Sequence, residues 1–199
     1  ADIKAFHALG RTKAVDSLLN PTEPVDALPP PEWAKPEKAA ELYGGYREAR
    51  RKAEEKSRGL PPAEAAQIRR QAQKEAQRAR NEMGTEAQNW WFRKILATKA
   101  PLREKMTLFW HDHFATSFQK VKVPFMLVGQ NQLFRRAAFG NFRELTKSVA
   151  VDPAMMLYLD SQNSKKGAPN ENFAREVMEL FTLGEGNYTE DDIRDAARA

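Results

Sequence analysis

Prolines in this chain stand where helices open, and that placement limits the fold more than any other feature of the sequence. Pro61-Pro62, Pro101, Pro124 and Asp152-Pro153 each precede a run with helical spacing. Proline at the first helical position gives up no needed hydrogen bond and already has the required φ. Between these openings no alternating β-branched run appears, and Val121 and Val123 between lysines are too short to carry a sheet. The expected fold is all-α: an irregular multi-helix domain with a long charged helical hairpin.

Three regions follow. Residues 1–34 read as an N-terminal helix over 1–20, with Ile3, Phe6, Leu9, Val15, Leu18 and Leu19 at helical spacing, then a proline-rich linker. Prolines 24, 29, 30, 31 and 36 exclude a regular helix there. Residues 35–86 form the hairpin, with helices over 37–58 and 63–84 separated by Gly59-Leu60-Pro61-Pro62. Residues 87–199 form the helical core, entered at Trp90-Trp91-Phe92. Further helices are expected from Pro101, over 124–139, after Asn141, over 154–159, over 170–183 and after Thr189.

Charge is concentrated in the hairpin. The chain of 199 residues carries a formal +5, with 32 Lys+Arg against 27 Asp+Glu. Lys35 to Glu86 holds 13 of the basic and 9 of the acidic residues, so nearly all of the surplus sits in one stretch. Both signs alternate there among Ala, Gln and Glu, the composition of a solvated helix. An unbalanced basic face with interleaved aromatics, which nucleic acid requires, is missing, so no nucleic-acid partner is expected. No apolar run approaches the roughly 20 residues of a transmembrane helix, and with no cysteine there is neither a disulfide framework nor a thiolate metal site.

Two clusters carry the candidate chemistry. In His111-Asp112-His113 the histidines lie roughly 200° apart on a helix, so one metal cannot take both. The stripe Leu102, Met106, Phe109, Trp110 and Ser117 turns His113 inward and leaves His111 exposed or at a rim. His113 then reads as a buried neutral imidazole bonded to a carboxylate or carbonyl, or as a metal ligand. In the helix over 170–183, Phe173, Val177, Leu180 and Phe181 form the core stripe, Asn172, Glu176 and Glu179 one flank, and Glu171 and Arg175 the opposite side. The carboxylates can bind a cation or act as an acid/base pair, or be tied to Arg135, Arg136 or Arg143. Asp160, Asn163 and Asn170 frame the loop that feeds this helix, and Asp152 is a cap. No serine-nucleophile elbow and no phosphate loop is present.

The stretches Pro101 to Ser117, Asp152 to Asp160 and Asn170 to Asp192 together resemble a large bacterial family known as domain of unknown function 1800. The resemblance covers about the half of the chain beyond Trp90. It implies a longer parent protein, of which this chain is the N-terminal half, and an exported, periplasmic or extracellular setting. It brings no established reaction and no cofactor. The family-like stretches contain His111, His113, Asp160, Asn163, Asn170, Glu171, Asn172, Arg175, Glu176 and Glu179.

Three functional readings stand at this point. The first is binding of a polar or saccharide-like envelope ligand by His113, Asp160, Asn170, Asn172, Glu176 and Glu179, with Trp110 and Tyr158 as apolar walls. The second is a metal-assisted hydrolase using His113, Glu176 and Glu179. The third is a scaffold that offers the charged hairpin to another envelope protein, or a core completed by the C-terminal part of its own chain.

Overall fold

The computed structural model describes residues 3–198, and among them the chain is all-α, with eleven α-helices and one isolated bridge between Lys165 and Ala168. The helix expected over 1–20 is two: α1 (Ile3–Leu9) and α2 (Arg11–Leu19). Gly10 separates them with φ +74°, a left-handed conformation that stops an α-helix. Residues 1 and 2 lie outside the described residues.

The hairpin comprises α3 (Ala39–Ser57) and α4 (Pro62–Ala97). The break expected at Gly84 does not occur, and α4 runs on for 36 residues into the core. Glycine inside a helix costs only about 1 kcal/mol relative to alanine. At this position a side chain would also be tightly packed, because a Cβ on Gly84 would lie 3.0 Å from the tip of the Phe118 ring. Small residues line the α3–α4 seam, where Ala53 and Ala65 are buried and Arg69 Nε donates to Ser57 Oγ at 3.3 Å. The outer faces carry i,i+4 ion pairs, including Lys52–Glu48 at 2.7 Å and Arg78–Glu82 at 2.9 Å. Each is worth a few tenths of a kcal/mol, as expected of solvated helices.

The proline-rich segment is not a regular helix, but it is firmly held. Two short 3₁₀ turns, Glu32–Ala34 and Pro36–Lys38, lead into α3. Ala34 joins Trp90 and Val128 in a small core cluster, with Leu28 and Trp33 packed against it.

The main core is built from α5 (Pro101–His113), α6 (Phe118–Val121), α7 (Pro124–Arg136), α8 (Phe142–Ala150) and α9 (Pro153–Tyr158). Helix α7 ends at Arg136 and not at Phe139. It is the central helix, packed against α4, α5, α6, α8 and α9. Phe114, Phe134, Val149, Met155 and Phe181 are buried together around it. Side-chain caps open two of these helices as the sequence predicts: Asn141 accepts from Glu144 N–H, and Asp152 from Met155 N–H.

The helix expected over 170–183 changes type part-way. Helix α10 (Glu171–Glu176) runs directly into a π-helical segment, Val177–Thr182, in which Leu183 N–H reaches back to the Met178 carbonyl at 2.8 Å. Gly184 stops it at φ +81°. Helix α11 (Glu190–Arg198) starts at a reciprocal box, Asp192 N–H to Thr189 Oγ1 and Thr189 N–H to Asp192 Oδ2.

Candidate functional site

The polar centre of the molecule lies where α4, α5 and α7 meet. Glu104 and Arg135 are each almost wholly buried, at 3% and 2% exposure, and pair at two points, Nε–Oε1 2.7 Å and a terminal nitrogen to Oε2 3.0 Å. Trp91 Nε1–H also donates to Glu104 Oε2, at 3.2 Å, and the guanidinium lies 5.2 Å from the centre of the Trp90 ring. A charge removed from water needs this degree of compensation.

Lys94 is the third buried charge. Its ammonium donates to the carbonyls of Val25 and Leu28, at 2.9 and 3.1 Å, and the Trp90 indole N–H shares the Leu28 carbonyl. Those carbonyls are available because the proline-rich segment has no helical ladder to occupy them. Burial, and then the charge of Arg135, push the Lys94 ammonium below its ordinary pKa. Glu23 fixes the segment's start, accepting from Thr98 Oγ1 at 2.7 Å and Lys99 N–H at 2.6 Å.

Beside this centre opens a cavity of about 280 Å³, walled by Trp90, Trp91, Phe118 and Val128 and bordered by His111, Thr116 and Asn131. His111, expected exposed or at a rim, is half-buried at the border of this cavity. Its ring lies 4.7 Å from that of Trp91 and 4.8 Å, edge to face, from that of Phe134. Burial, then the charge of Arg135, push its pKa down to about 4, so the imidazole is neutral near pH 7. Asn131 Nδ2 donates to His111 Nε2 at 3.0 Å, which makes Nε2 the acceptor and leaves the proton on Nδ1. Asn131 is only 4% exposed, and its Oδ1 has no hydrogen-bond partner.

A second buried chain reaches the same cavity. Thr116 Oγ1–H donates to Gln130 Oε1, Gln130 Nε2 donates to Asp152 Oδ1 at 2.8 Å, and that oxygen also caps α9 through Met155 N–H at 2.9 Å. Burial raises the Asp152 pKa, opposed by these hydrogen bonds.

Larger depressions lie elsewhere. One of about 890 Å³ follows a single exposed face of α4 from Arg70 to Arg93, and one of about 830 Å³ follows the α3–α4 seam. The first is bounded by one solvated helix and encloses nothing.

The residues nominated from the sequence occupy several separate places. His113 Nε2–H donates to the Phe181 carbonyl at 3.1 Å, one of the two bonding roles read for it. Trp110 packs among Phe109, Phe114 and Phe142, with its indole N–H on the Ala138 carbonyl, so it is core and not a cavity wall. Asp160, left-handed at φ 58°, pairs with Lys120 at 2.8 Å, and the Lys120 ammonium also lies 5.3 Å from the centre of the Tyr158 ring. Asn163 is exposed at the end of a 3₁₀ turn.

Asn170 caps α10 and donates to the Leu159 and Asp160 carbonyls, while Asn172 Nδ2 donates to Leu159 O at 3.3 Å. Arg175 forms a two-point pair with Glu190, both contacts 2.8 Å, and lies 4.0 Å from Glu171. Glu176 ends α10 half-buried. Glu179 accepts from Tyr188 OH at 2.6 Å, a bond that holds the phenol's pKa up at about 12. Of the arginines anticipated for these carboxylates, Arg135, Arg136 and Arg143, the first belongs to Glu104 instead. The π turn changes the angular step, so Leu180, expected in the core, is 61% exposed.

Among the described residues no three His, Asp or Glu side chains are grouped so as to hold a metal ion. His113, Glu176 and Glu179 are therefore not the metal-holding triad of the hydrolase reading. No helix among those residues is long and apolar enough to cross a membrane.

Sequence reasoning missed Lys94, Glu104, Gln130 and Asn131. The one available signal was a charge or amide recurring on the face that carries core aromatics, Glu104 with His111 and Gln130-Asn131 with Phe134.

Comparison with known sequences gives one match. The model of a family described as "Protein of unknown function (DUF1800)" matches residues 1–199. It takes in the hairpin and the proline-rich segment as well as the half beyond Trp90. No curated protein and no solved structure matches the chain.

Proposed function

The chain belongs to the DUF1800 family, and on that premise we propose that it is a binding protein which takes a small polar, saccharide-like envelope ligand into the cleft between α4, α5 and α7. One observation carries the reading: Asn131 Oδ1 is buried and lacks a hydrogen-bond donor at the border of an aromatic-walled cavity. An unpaired buried acceptor costs about 1–3 kcal/mol, and a ligand donor would recover that energy. Indole walls with a few fixed polar groups are the usual make-up of a small-molecule site. The family resemblance is the support for the envelope setting.

The ligand site thus shifts from the loop and helix around 160–179 to residues that precede them. Titration of the protein with methyl glycosides, followed by tryptophan fluorescence, should give a saturable change that Asn131→Ala abolishes while circular dichroism and the melting curve show the variant folded. Equal binding by a folded Asn131→Ala variant would contradict the reading.

A further inference from the structure

We infer that the cleft selects its ligand by hydrogen-bond polarity, admitting a neutral single ring with adjacent hydroxyl groups and refusing anions and quaternary ammonium ions; this rests on the binding reading above. The selection begins at Asp152, outside the cavity. Its Oδ1 accepts from Met155 N–H and from Gln130 Nε2. A carboxylate only accepts, so it fixes which end of the fully buried Gln130 amide faces it. Gln130 Oε1 is thereby turned to Thr116 and takes that hydroxyl's only proton. Thr116 Oγ1 is left with lone pairs and nothing to donate.

A second group at the border behaves alike. Asn131 has committed Nδ2 to His111 Nε2, and its free atom is the acceptor Oδ1. Two fixed acceptors therefore border one cavity and call for two donors on one ligand, while the exposed Gln88 amide beside them can either donate or accept. A phosphate or carboxylate brings more acceptors and would be desolvated against them. A quaternary ammonium ion brings no N–H or O–H at all. It would also need a free indole face, and Arg135 is already against Trp90.

Neutral vicinal hydroxyls supply the donors without the charge. About 280 Å³ lies just under the roughly 300–1,000 Å³ of drug-sized pockets, which suits one ring. A free monosaccharide or cyclitol and the end residue of a glycan share this chemistry.

The experiment is a binding panel on the full chain: methyl glycosides of glucose, galactose and mannose, myo-inositol, cellobiose, glucuronate, glucose 6-phosphate and tetramethylammonium. Binding by a neutral polyol, with the charged probes at least about tenfold weaker, is the expected result, tenfold corresponding to about 1.4 kcal/mol. A cellobiose affinity matching the best monosaccharide's marks a glycan end, and a loss of it a free ring; either supports the inference. Thr116→Val, close in shape, should weaken the neutral ligand by about tenfold, the loss of one hydrogen bond, and Thr116→Ser by less than about twofold. Asp152→Asn retains a capping side chain but lets the Gln130 amide reverse, so the discrimination against glucuronate should narrow.

Preferred binding of an anion or of tetramethylammonium would overturn the inference while leaving a ligand cleft in place. Saturation by none of the probes would remove both. A Thr116→Val variant that binds the polyol like the parent would also overturn it.

Discussion

Glu104 and Arg135 form a two-point ion pair, 2.7 and 3.0 Å, between α5 and α7 with both side chains out of solvent. The pair joins helices whose partners are 31 residues apart in the chain, and Trp91 of α4 adds a third donor to the same carboxylate. It therefore sets the mutual position of the three helices that enclose the cleft. Removing one member leaves the other charged and uncompensated. Glu104→Leu or Arg135→Met alone should cost about 3–5 kcal/mol, and the double variant clearly less than the sum. Urea unfolding of the four proteins measures this; additive losses would show that the two side chains do not act as a pair.

Acid should weaken the fold through His111. Its imidazole takes a proton near pH 6.5 when unfolded but only at about pH 4 in the fold. Between those values the unfolded chain binds more protons, so stability falls as pH drops from about 6.5 to 4, by at most about 3 kcal/mol at 1.36 kcal/mol per pH unit. Asp152, with its folded pKa raised, contributes in the opposite sense at the acid end, because the folded form then holds the extra proton. His111→Gln keeps an acceptor for Asn131 and should flatten the pH profile of stability. A variant as acid-sensitive as the parent would place the effect elsewhere.

Gly84 offers a test of how tightly α4 approaches α6. Alanine gains about 1 kcal/mol of helix propensity, yet its methyl group would meet the Phe118 ring at 3.0 Å. Gly84→Ala should therefore change stability by less than about 1 kcal/mol while weakening ligand binding, since both residues border the cavity. Thermal melts and the fluorescence titration separate the two effects.

The distal hairpin should be dispensable for the core. Helix α3 packs chiefly on α4 and on the 3₁₀ turns before it, and the residues that α4 gives to the site begin at Gly84. Replacing 48–76 by a short Gly/Ser loop should leave ligand binding within about twofold of the parent, well inside the tenfold that 1.4 kcal/mol represents. Loss of a partner protein in pull-downs with this variant would support the scaffold role as an additional one.

Helix openings were legible because capping is local chemistry. Asn141, Asp152-Pro153 and Thr189 each bond within a few residues of themselves, so spacing along the chain is enough to find them. The continuity of α4 through Gly84 was not legible, because the ring packed against that glycine lies 34 positions later in the sequence. Nor was the π turn after Glu176, which carries no composition signal and alters the face presented by Leu180 and Glu179.

The site was harder to read for one physical reason. Sequence patterning assigns charge to the outside, so α5 appears to bury Leu102, Met106 and Phe109, whereas Phe109 is half-exposed and Glu104 and Thr107 are wholly buried. Once Arg135 and Trp91 satisfy Glu104, the helix turns that face inward and carries His111 with it. Lys94 is hidden in the same way, by carbonyls of a proline-rich segment nearly 70 residues earlier.

The most direct measurement uses the four tryptophans. Each indole N–H has its own partner: Glu86 for Trp33, Leu28 O for Trp90, Glu104 for Trp91 and Ala138 O for Trp110. In ¹H–¹⁵N spectra recorded during titration with the best-binding methyl glycoside, the Trp90 and Trp91 indole signals should move together and saturate while that of Trp110 stays in place. Movement of Trp110 with Trp90 and Trp91 unchanged would put the ligand outside the α4–α5–α7 cleft and contradict the account.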